Sequence, residues 1–488
     1  SWHGGGAIFR SRPGSQFSCC VIFRHNKVTF IPILRMRCRV VSAYRKPQQR
    51  RNTMIKVTFM GAGSTIFAKN VLGDIMATPA LKEVDIALYD IDSARLNESF
   101  AMLSNINRNI NAGRAKITPY LGVENRRAAL KNANYVVNAI QVGGYDPCTI
   151  TDFTIARKYG LQQTIADTLG IGGIFRALRT IPVLFDFARD IEAVCPDAWL
   201  LNYTNPMAAL TGAMLRHTGV KTVGLCHSVQ VCAETLLKSV DMPTDDVQFH
   251  IAGINHMAWL LDVRRHGEDL YPEIKRRANA LQGKHDDMVR HEIMKTFGYY
   301  VTESSEHNAE YMPYWIKRHY PELIERFNIP LDEYPRRCIE QIDQWQQRKL
   351  ALTHDANLTH TRTHEYASYI IEAMETDRPY KIGGNVLNTG LITNLPAEAC
   401  VEVPCLVDGQ GISPCYVGHL PEQLAALNRT NINTQLLTIE AAVTGKRDAI
   451  YHAALLDPHT SAELSIDDIR KLCDELIEAH GSWLPAYH

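Results

Sequence analysis

The sequence lacks three features that would each point to a particular class of protein. No uncharged apolar run approaches the roughly 20 residues of a membrane-spanning helix. Neither sign of charge prevails, since 52 Lys and Arg residues stand against 52 Asp and Glu residues. No Cys-x-x-Cys pair occurs among the 12 cysteines, which argues against zinc ribbons and thioredoxin chemistry. We therefore expect a protein that has neither a membrane nor a nucleic acid as its partner.

The zero net charge conceals a basic leader. Residues 1–53 contain eleven Lys and Arg residues and no acidic residue, which leaves 41 bases and 52 acids for residues 54–488. An Arg-rich, acid-free leader can be a transit peptide. The interpretation that we favour is a stretch of upstream or non-native sequence ahead of a start at Met54. We expect this leader to be disordered and to contribute nothing to the fold.

The cysteines after residue 54 indicate a reducing environment. They are nine in number, widely scattered and mostly placed within apolar runs. An odd number of scattered thiols does not form a disulfide framework, and free thiols are typical of the cytoplasm. We therefore expect a cytoplasmic protein.

Short β-branched runs alternate with amphipathic stretches from Met54 onward. This alternation predicts an α/β fold with a Rossmann-type, doubly wound parallel sheet that helices cover on both faces. We place this domain at residues 54–245. The pattern predicts helices at 65–77 and 95–111 and strands at 56–60, 85–89, 134–140, 199–203 and 221–225.

The pattern becomes less regular over residues 246–488. It predicts a mixed α+β domain, which we expect to complete the substrate and metal site and to carry the contacts between subunits. The predicted strands lie at 249–254, 259–264 and 401–407, and the predicted helices at 338–352, 365–375 and 421–444.

A glycine turn follows the first predicted strand and opens the first predicted helix. It consists of Gly61, Ala62, Gly63 and Ser64. Glycines let the backbone approach a pyrophosphate, whose charge is favoured at the N-terminus of a helix. The full dinucleotide fingerprint would have Gly or Ala where this sequence has Ile66, so the motif alone also fits an ordinary tight turn.

Three further residues are candidate contacts for a dinucleotide. Asp90 ends the second predicted strand, where a carboxylate would bind the ribose hydroxyls and favour NAD over NADP. The neighbouring Asp92 has the alternative role of a helix cap. Gln141 begins a turn with two glycines after another strand, and Asn202 ends the strand at 199–203. Together with the glycine turn, they predict an NAD site.

Polar residues also end successive apolar runs farther along the chain. Asn202 and Asn205 follow one run, Cys226 and His227 follow the next, and His256 follows a third. Because the carboxyl ends of parallel strands share one edge of a sheet, we expect Cys226 and His256 to meet there and to bind a metal with open coordination positions. The spacing leaves open that the cysteine is an ordinary core residue and the histidine a polar cap. On these residues alone, a hydroxy-acid oxidoreductase is the leading hypothesis.

A longer signature spans these same positions. Residues 196–206, Thr211 and residues 221–226 together resemble the signature of glycoside hydrolase family 4. The stretches 163–168, 224–228, 253–257 and 301–307 support the resemblance, which extends over 54–488 and is greatest to the bacterial α-galactosidases of the family. Members of this family are glycosidases that depend on NAD and manganese, outside the usual mechanism with two carboxylates.

The resemblance implies a mechanism by elimination with no net oxidation. NAD⁺ takes hydride from C3 of the sugar, and the metal, chelated by the C2 and C3 oxygens, polarises the resulting ketone. A base then removes the proton at C2, and the aglycone leaves from C1 with the help of an acid. Water adds to the unsaturated intermediate, and NADH returns the hydride to C3.

The resemblance also assigns roles to individual residues. Cys226 and His256 match the metal ligands, and Asn205 matches a substrate contact. His227 stands where phospho-glucosidases of the family have an aspartate acid, which makes it a candidate for the general acid or for a sugar contact. The base in those relatives is a tyrosine of the second domain, for which Tyr311 is the first candidate here and His307 the second.

The substrate follows from the same comparison. The resemblance implies free α-galactosides such as melibiose, with α-glucosides, galacturonides and 6-phospho-glucosides as the alternatives. A phosphorylated substrate would need a basic cluster; the candidates are Arg176 and Arg179, which we interpret as solvated helix charges. Two alternatives belong to different classes: a hydroxy-acid NAD dehydrogenase, and a non-catalytic, nucleotide-sensing protein with the same fold. Relatives are commonly dimers or tetramers, so we expect a homo-oligomer.

Overall fold

The computed structural model describes residues 54–488 throughout. Of the preceding 53 residues it describes two short strands, β1 (Phe23–Arg24) and β2 (Lys27–Val28), which pair with each other in antiparallel orientation. The rest of the predicted leader lies outside the described residues. Residues 54–488 form one compact unit.

Thirteen strands of this unit belong to one mixed sheet. In chain order they are β3 (Ile55–Met60), β4 (Val84–Asp90), β5 (Lys116–Leu121), β6 (Tyr135–Asn138), β7 (Trp199–Asn202), β8 (Lys221–Leu225), β9 (Val247–Ile254), β10 (Met257–Arg265), β11 (Glu268–Asp269), β12 (Tyr300–Val301), β13 (Tyr380–Leu387), β14 (Cys400–Asp408) and β15 (Gly411–Pro414).

Helices cover the sheet and extend beyond it. They are α1 (Thr65–Ala77), α2 (Ser93–Asn111), α3 (Arg126–Leu130), α4 (Ile150–Lys158), α5 (Gly170–Val194), α6 (Met207–His217), α7 (Ser228–Ser239), α8 (Tyr271–Ala280), α9 (Met288–Phe297), α10 (Ser305–Ala309), α11 (Glu322–Arg326), α12 (Glu333–His354), α13 (Tyr366–Thr376), α14 (Glu422–Thr444), α15 (Arg447–Leu456), α16 (Pro458–Glu463) and α17 (Ile466–His480). None of the described helices combines the length and the apolar character needed to cross a membrane.

The parallel half of the sheet has the strand order of dinucleotide-binding domains. Its strands run β5-β4-β3-β6-β7-β8, so the order reverses between β3 and β6. Ligands of such sheets bind at this switch point, beyond the carboxyl ends of the strands. The central strands are buried on both faces, with Val57, Phe59 and Val137 fully inaccessible to solvent. This arrangement confirms the predicted Rossmann-type α/β fold.

An antiparallel extension continues the same sheet beyond β8. There β13 pairs with β8, β14 with β13, and β9 with β14, each in antiparallel orientation. Three reversals make β9 antiparallel to β8. The predicted division at residue 245 falls between α7 and β9, and the sheet is continuous across it, so the domain assignment stays a prediction.

The predicted elements match the structure where the local pattern is strong. The helix at Thr65–Ala77 and the strand at Lys221–Leu225 have the predicted bounds. The prediction omitted β5, a half-exposed strand that contains a proline, and β13, whose interior contains two glycines. The proline in β5 and the glycines in β13 weaken the local strand pattern, and the pairing of β5 with β4 and of β13 with β8 and β14 determines these two strands.

Candidate active site

The glycine turn after β3 is tightly constrained by its neighbours. Gly61 has φ +89°, and a Cβ built there would lie 2.8 Å from the carbonyl carbon of Ala139, the residue that follows β6. A Cβ on Gly63 would lie 2.8 Å from Oδ2 of Asp90. The turn therefore requires glycine at both positions, and it brings Gly61, Ala62, Gly63 and Asp90 together as predicted.

Asp90 faces this turn from the end of β4. Its Oδ2 accepts a hydrogen bond of 2.6 Å from the backbone N–H of Gly63, and its Oδ1 accepts one of 2.9 Å from Asp92. Asp92 itself accepts a hydrogen bond from the N–H of Arg95 and so caps α2, the alternative role considered for it. Ser64 precedes α1 and makes no side-chain cap, which leaves the first N–H groups of that helix available to an anion.

Gln141 lies across the switch point, in the turn after β6, where its side chain is exposed. The neighbouring Val142 carbonyl accepts a hydrogen bond of 3.2 Å from Arg179, whose guanidinium also forms a 2.8 Å ion pair with Asp152. Both partners of that ion pair are buried. The interpretation of Arg179 as a solvated helix charge is therefore wrong, because the side chain braces the turn from inside the protein.

Asn202 is buried at the end of β7 and its side chain is bonded within the protein. Its Oδ1 accepts a hydrogen bond of 2.9 Å from Asn138, and its amide donates to Thr211 at 3.1 Å. These bonds tie the ends of β6 and β7 together. The residue therefore supports the floor of the site, and its predicted contact with a cofactor stays a prediction.

Asn205 offers an unused acceptor nearby. Its Oδ1 is buried and accepts no hydrogen bond from the described residues. Its backbone carbonyl accepts a bond of 3.3 Å from Nε of Arg176, which is itself buried and contacts the ring of Tyr334. Arg176, like Arg179, is thus not a solvated charge. A buried acceptor without a donor is expected where a ligand hydroxyl completes the hydrogen bonding.

Three residues form a candidate metal centre. The ligand atoms of Cys226, His256 and Glu303 all lie within 4.8 Å of one another. Nε2 of His256 is 3.6 Å from Oε2 of Glu303. A thiolate, an imidazole and a carboxylate together can bind a divalent cation and leave positions free for substrate oxygens.

Cys226 and His256 meet as predicted, but the predicted reason is wrong. Cys226 follows β8, whereas His256 lies in the tight turn that joins β9 to β10, and β9 is not a parallel neighbour of β8. Two antiparallel strands separate β8 from β9. The ligands meet because the β9–β10 hairpin returns its turn toward the end of β8.

Two of the three candidate ligands have a strained backbone. His256 has φ +62° and Glu303 has φ +64°, in the left-handed region that residues with a Cβ rarely adopt. This conformation costs roughly 1–2 kcal/mol for each such residue. Strain of this kind persists where the surrounding structure fixes a functional side chain.

The electrostatics of the cluster suit a cation. Burial by itself lowers the pKa of His256, but the carboxylate of Glu303 and the thiol of Cys226 outweigh it and raise that pKa to about 10. Burial raises the pKa of Glu303, but His256 and His307 outweigh it and lower that pKa. The cluster therefore favours positive charge at its centre, which a proton on His256 or a metal ion supplies.

The two candidate bases lie against this centre. The hydroxyl of Tyr311 is 3.0 Å from Nδ1 of His256, the ring nitrogen that faces away from Glu303. Nε2 of His307 is 3.8 Å from Oδ1 of Asp167, and its Nδ1 is 3.5 Å from Glu303. Burial lowers the pKa of His307 and raises that of Tyr311 well above its ordinary value. Ionisation of Tyr311 therefore needs a nearby cation.

His227 follows Cys226 directly and is half-exposed. Its Nε2 is 2.7 Å from Oε2 of Glu365, a buried carboxylate at the start of α13. The hydrogen bond to Glu365 raises the pKa of His227, while burial opposes this shift. One ring nitrogen is thus committed to the protein, and Nδ1 remains for a ligand.

Four acidic residues of the site were not predicted from the sequence. Glu303 and Asp167 lie within stretches that carry the family resemblance, so a role could have been sought for them. No sequence pattern indicated a role for Glu365 or Glu402, because the residues that they contact are not their neighbours in the chain. Glu402 is buried, accepts a 2.9 Å hydrogen bond from Asn385, and has a pKa that burial raises to about 7.

Comparison with known proteins identifies the family. Residues 56–242 match the profile described as "Family 4 glycosyl hydrolase", and residues 251–460 match that of "Family 4 glycosyl hydrolase C-terminal domain". The chain belongs to glycosyl hydrolase family 4. The membership expected from the signature at 196–226 and its supporting stretches is therefore confirmed.

Individual members of family 4 match over almost their whole length. The alpha-galactosidase of Bacillus subtilis (strain 168) is 65% identical over 435 residues, which cover 89% of this chain and 100% of that protein. The alpha-galactosidase of Rhizobium meliloti (strain 1021) is 35% identical, over 88% of this chain and 89% of its own. A crystal structure of a 6-phospho-alpha-glucosidase from gut microorganisms, in complex with NAD and Mn²⁺, superposes with a TM-score of 0.73 at 20% identity, covering 89% and 100% of the two chains.

The residues of this chain fit a dinucleotide and a divalent metal by their own geometry. At Gly61 and Gly63 no side chain fits, so the backbone stays open to a pyrophosphate beside the uncapped start of α1. The sulfur, nitrogen and oxygen donors of the metal centre converge from three separate segments. Both sites lie beyond the carboxyl ends of the parallel strands.

Proposed function

We propose that this protein is an α-galactosidase that hydrolyses terminal α-galactosides such as melibiose with the help of NAD and a divalent metal, preferably manganese. The observation that carries the proposal is the 65% identity to the Bacillus subtilis alpha-galactosidase over all of that protein's length. The second alpha-galactosidase, 35% identical, supports the same substrate class. Within family 4, relatives named alpha-glucosidase and alpha-galacturonidase are 28% and 26% identical.

The cofactors are proposed from the fit of the residues and from the related structure that contains NAD and Mn²⁺. The glycine turn 61–64 would hold the pyrophosphate, Asp90 the ribose and Gln141 the far side of the cofactor. Cys226, His256 and Glu303 would hold the metal. When bound, NAD would accept hydride from C3 of the sugar and later return it, and the metal would polarise the carbonyl group at C3.

The remaining steps fall to side chains of this chain. Oδ1 of Asn205 would accept a hydrogen bond from a sugar hydroxyl, since it is buried without another donor. Tyr311 would take the proton from C2, with its hydroxyl already beside the metal ligand His256. Nδ1 of His227 would give a proton to the departing oxygen, because its Nε2 is engaged by Glu365.

The set of three candidate ligands that includes Glu303 suits manganese better than Cys226 and His256 alone, the two ligands predicted from the sequence. A thiolate is softer than Mn²⁺ prefers, whereas a carboxylate oxygen is a donor that Mn²⁺ binds readily. The half-buried carboxylate would also offset the charge of the cation together with Cys226. We therefore expect Mn²⁺ to be bound by all three residues.

A direct assay tests the proposed function. The purified protein is incubated with p-nitrophenyl α-galactoside, with and without NAD⁺, Mn²⁺ and a thiol reductant. We expect release of nitrophenol only when all three are present, with no net production of NADH. Stoichiometric NADH would instead indicate a dehydrogenase, and faster hydrolysis of an α-glucoside, a galacturonide or a 6-phospho-glucoside would indicate another substrate of the family.

Two further expectations concern the state of the protein. The nine cysteines of residues 54–488 are all free, as expected in the cytoplasm, where we place the protein. We also expect a homodimer or homotetramer, which sedimentation would distinguish. No nucleic acid or membrane partner is expected for residues 54–488, because this part of the chain carries an excess of acidic residues.

A further inference from the structure

The segment that leads from α12 into the first residues of α13 is anchored to α1 and to the end of β7. We call residues 360–367 the strap. At its start, Nε2 of His360 lies 2.6 Å from Oδ1 of Asp74, and Thr363 donates to the same carboxylate from its backbone N–H at 2.7 Å and its hydroxyl at 2.6 Å. Asp74 is fully buried within α1, the helix that follows the glycine turn. The strap is thus anchored to the helix that starts at the proposed NAD site.

The far end of the strap is anchored to the end of β7. The backbone N–H of Ala367 donates a 2.9 Å hydrogen bond to the hydroxyl of Tyr203, the residue that follows β7. The N–H of Glu365 donates to the hydroxyl of Thr363 at 3.3 Å. Glu365 lies between these anchors and is buried, so the direction of its carboxylate is set by the strap.

Within the part of the chain that the structure describes, the carboxylate of Glu365 has one hydrogen-bond partner, His227. The 2.7 Å contact engages Nε2 of the ring, which leaves Nδ1 on the half-exposed side of the histidine. His227 directly follows Cys226, one of the three candidate metal ligands, so its backbone is fixed next to the metal centre. A carboxylate that holds one nitrogen of an imidazole fixes both the ring orientation and the nitrogen that is presented to the substrate.

We propose that Glu365 is a positioning residue of the hydrolytic reaction, which holds the ring of His227 so that Nδ1 faces the glycosidic oxygen of the substrate. The proposal rests on the proposed function, since it requires a glycoside whose oxygen receives a proton. The strap makes the arrangement rigid, because it fixes Glu365 between the NAD-side helix α1 and the end of β7.

The proton transfer that this arrangement serves is balanced within the reaction. As the bond between C1 and the aglycone oxygen breaks, its electron pair stays on that oxygen, which takes the proton from Nδ1 of His227. The ring becomes neutral and continues to donate from Nε2 to Glu365. The water that later adds at C1 returns a proton to Nδ1, so no further reactant is needed.

The test compares two leaving groups. Nitrophenolate leaves without a proton, whereas the sugar alkoxide of melibiose needs one. General acid catalysis contributes about 10²–10⁴-fold, so Glu365→Gln should lower kcat on melibiose about 100-fold and kcat on p-nitrophenyl α-galactoside less than about threefold. Thr363→Val, which keeps the carboxylate but removes one anchor to Asp74, should show the same selectivity with a smaller loss.

The matched control is a carboxylate–imidazole pair of the same length on the surface. Nε2 of His419 is 2.7 Å from Oε1 of Glu422, and both side chains are exposed. Glu422→Gln should leave both activities unchanged. Equal losses on the two substrates in Glu365→Gln, or no loss on melibiose, would overturn the proposal while the proposed function stands. Failure of the wild-type protein to hydrolyse either substrate with NAD⁺ and Mn²⁺ would instead overturn the proposed function, and this inference with it.

Discussion

Replacing Glu303 by Gln should change how many protons leave the protein when the metal binds. Nε2 of His256 and Oε2 of Glu303 are 3.6 Å apart, and both residues are largely shielded from solvent. At an effective dielectric constant of about 20, two unit charges at this distance attract by roughly 5 kcal/mol, equivalent to about 3 pKa units. This attraction acts with the thiol of Cys226 against the effect of burial, and together they raise the pKa of His256 to about 10.

The direction of the change in proton release follows from the protonation state of His256 that the metal requires. A metal binds the neutral ring, so below the raised pKa it must displace a proton from His256. At pH 8 the wild-type protein should therefore release about one proton more per Mn²⁺ bound than Glu303→Gln, in which the pKa of His256 falls toward its ordinary value of about 6.5. The variant should also bind Mn²⁺ more weakly, because it loses a charged oxygen donor.

Calorimetric titration with Mn²⁺ in two buffers of different ionisation enthalpy measures this proton count without reference to activity. The exposed Glu422→Gln serves as the control and should behave like the wild type. Equal proton release by the wild type and by Glu303→Gln would refute the electrostatic coupling between the two residues. It would also remove Glu303 from the proposed set of ligands if the affinities were equal.

Three other substitutions have clear expected outcomes. Gly61→Ala should lower the free energy of unfolding by at least about 1–2 kcal/mol. It should also weaken NAD binding, because the added Cβ would collide with the backbone of Ala139. Tyr311→Phe should lower kcat about 100-fold or more if its hydroxyl is the base, measured on p-nitrophenyl α-galactoside. Asp152→Asn should lower the free energy of unfolding in urea by about 3–5 kcal/mol, since it leaves the buried charge of Arg179 unpaired.

The substitutions at Gly61 and Asp152 each have a matched control in the same chain. Gly283 has φ +82° with open space around it, so Gly283→Ala isolates the backbone cost from the collision at Gly61. Asp332 pairs with Arg157 on the surface, and Asp332→Asn should cost less than about 1 kcal/mol. Equal destabilisation by Gly61→Ala and Gly283→Ala, or by Asp152→Asn and Asp332→Asn, would contradict the corresponding prediction. A kcat of Tyr311→Phe within threefold of the wild-type value would contradict the assignment of the base.

Local sequence patterns predicted the nucleotide-binding half of the fold well. The helix at 65–77 and the strand at 221–225 have the expected bounds because each combines a strong apolar period with a clear turn. The strand at 380–387 was missed, since its glycines resemble a loop and its burial depends on β8 and β14. Tertiary pairing, which no local window contains, decided that segment.

The candidate site was predictable only where residues lie near a recognisable turn. Cys226 and His256 were expected to meet, yet the route between them depends on a hairpin that reverses the direction of β9. Glu365 reaches His227 across 138 positions of the chain. No spacing rule relates such residues, because their approach is set by the packing of the strap on α1 and β7.

The central claim is that the sugar is cleaved by elimination across C1 and C2 rather than by direct displacement. Hydrolysis of melibiose in D₂O, followed by NMR of the released galactose, tests this claim most directly. The account predicts deuterium at C2 of the product, because the proton removed there exchanges with solvent before water adds. Galactose that retains only protium at C2, formed at the full rate, would contradict it.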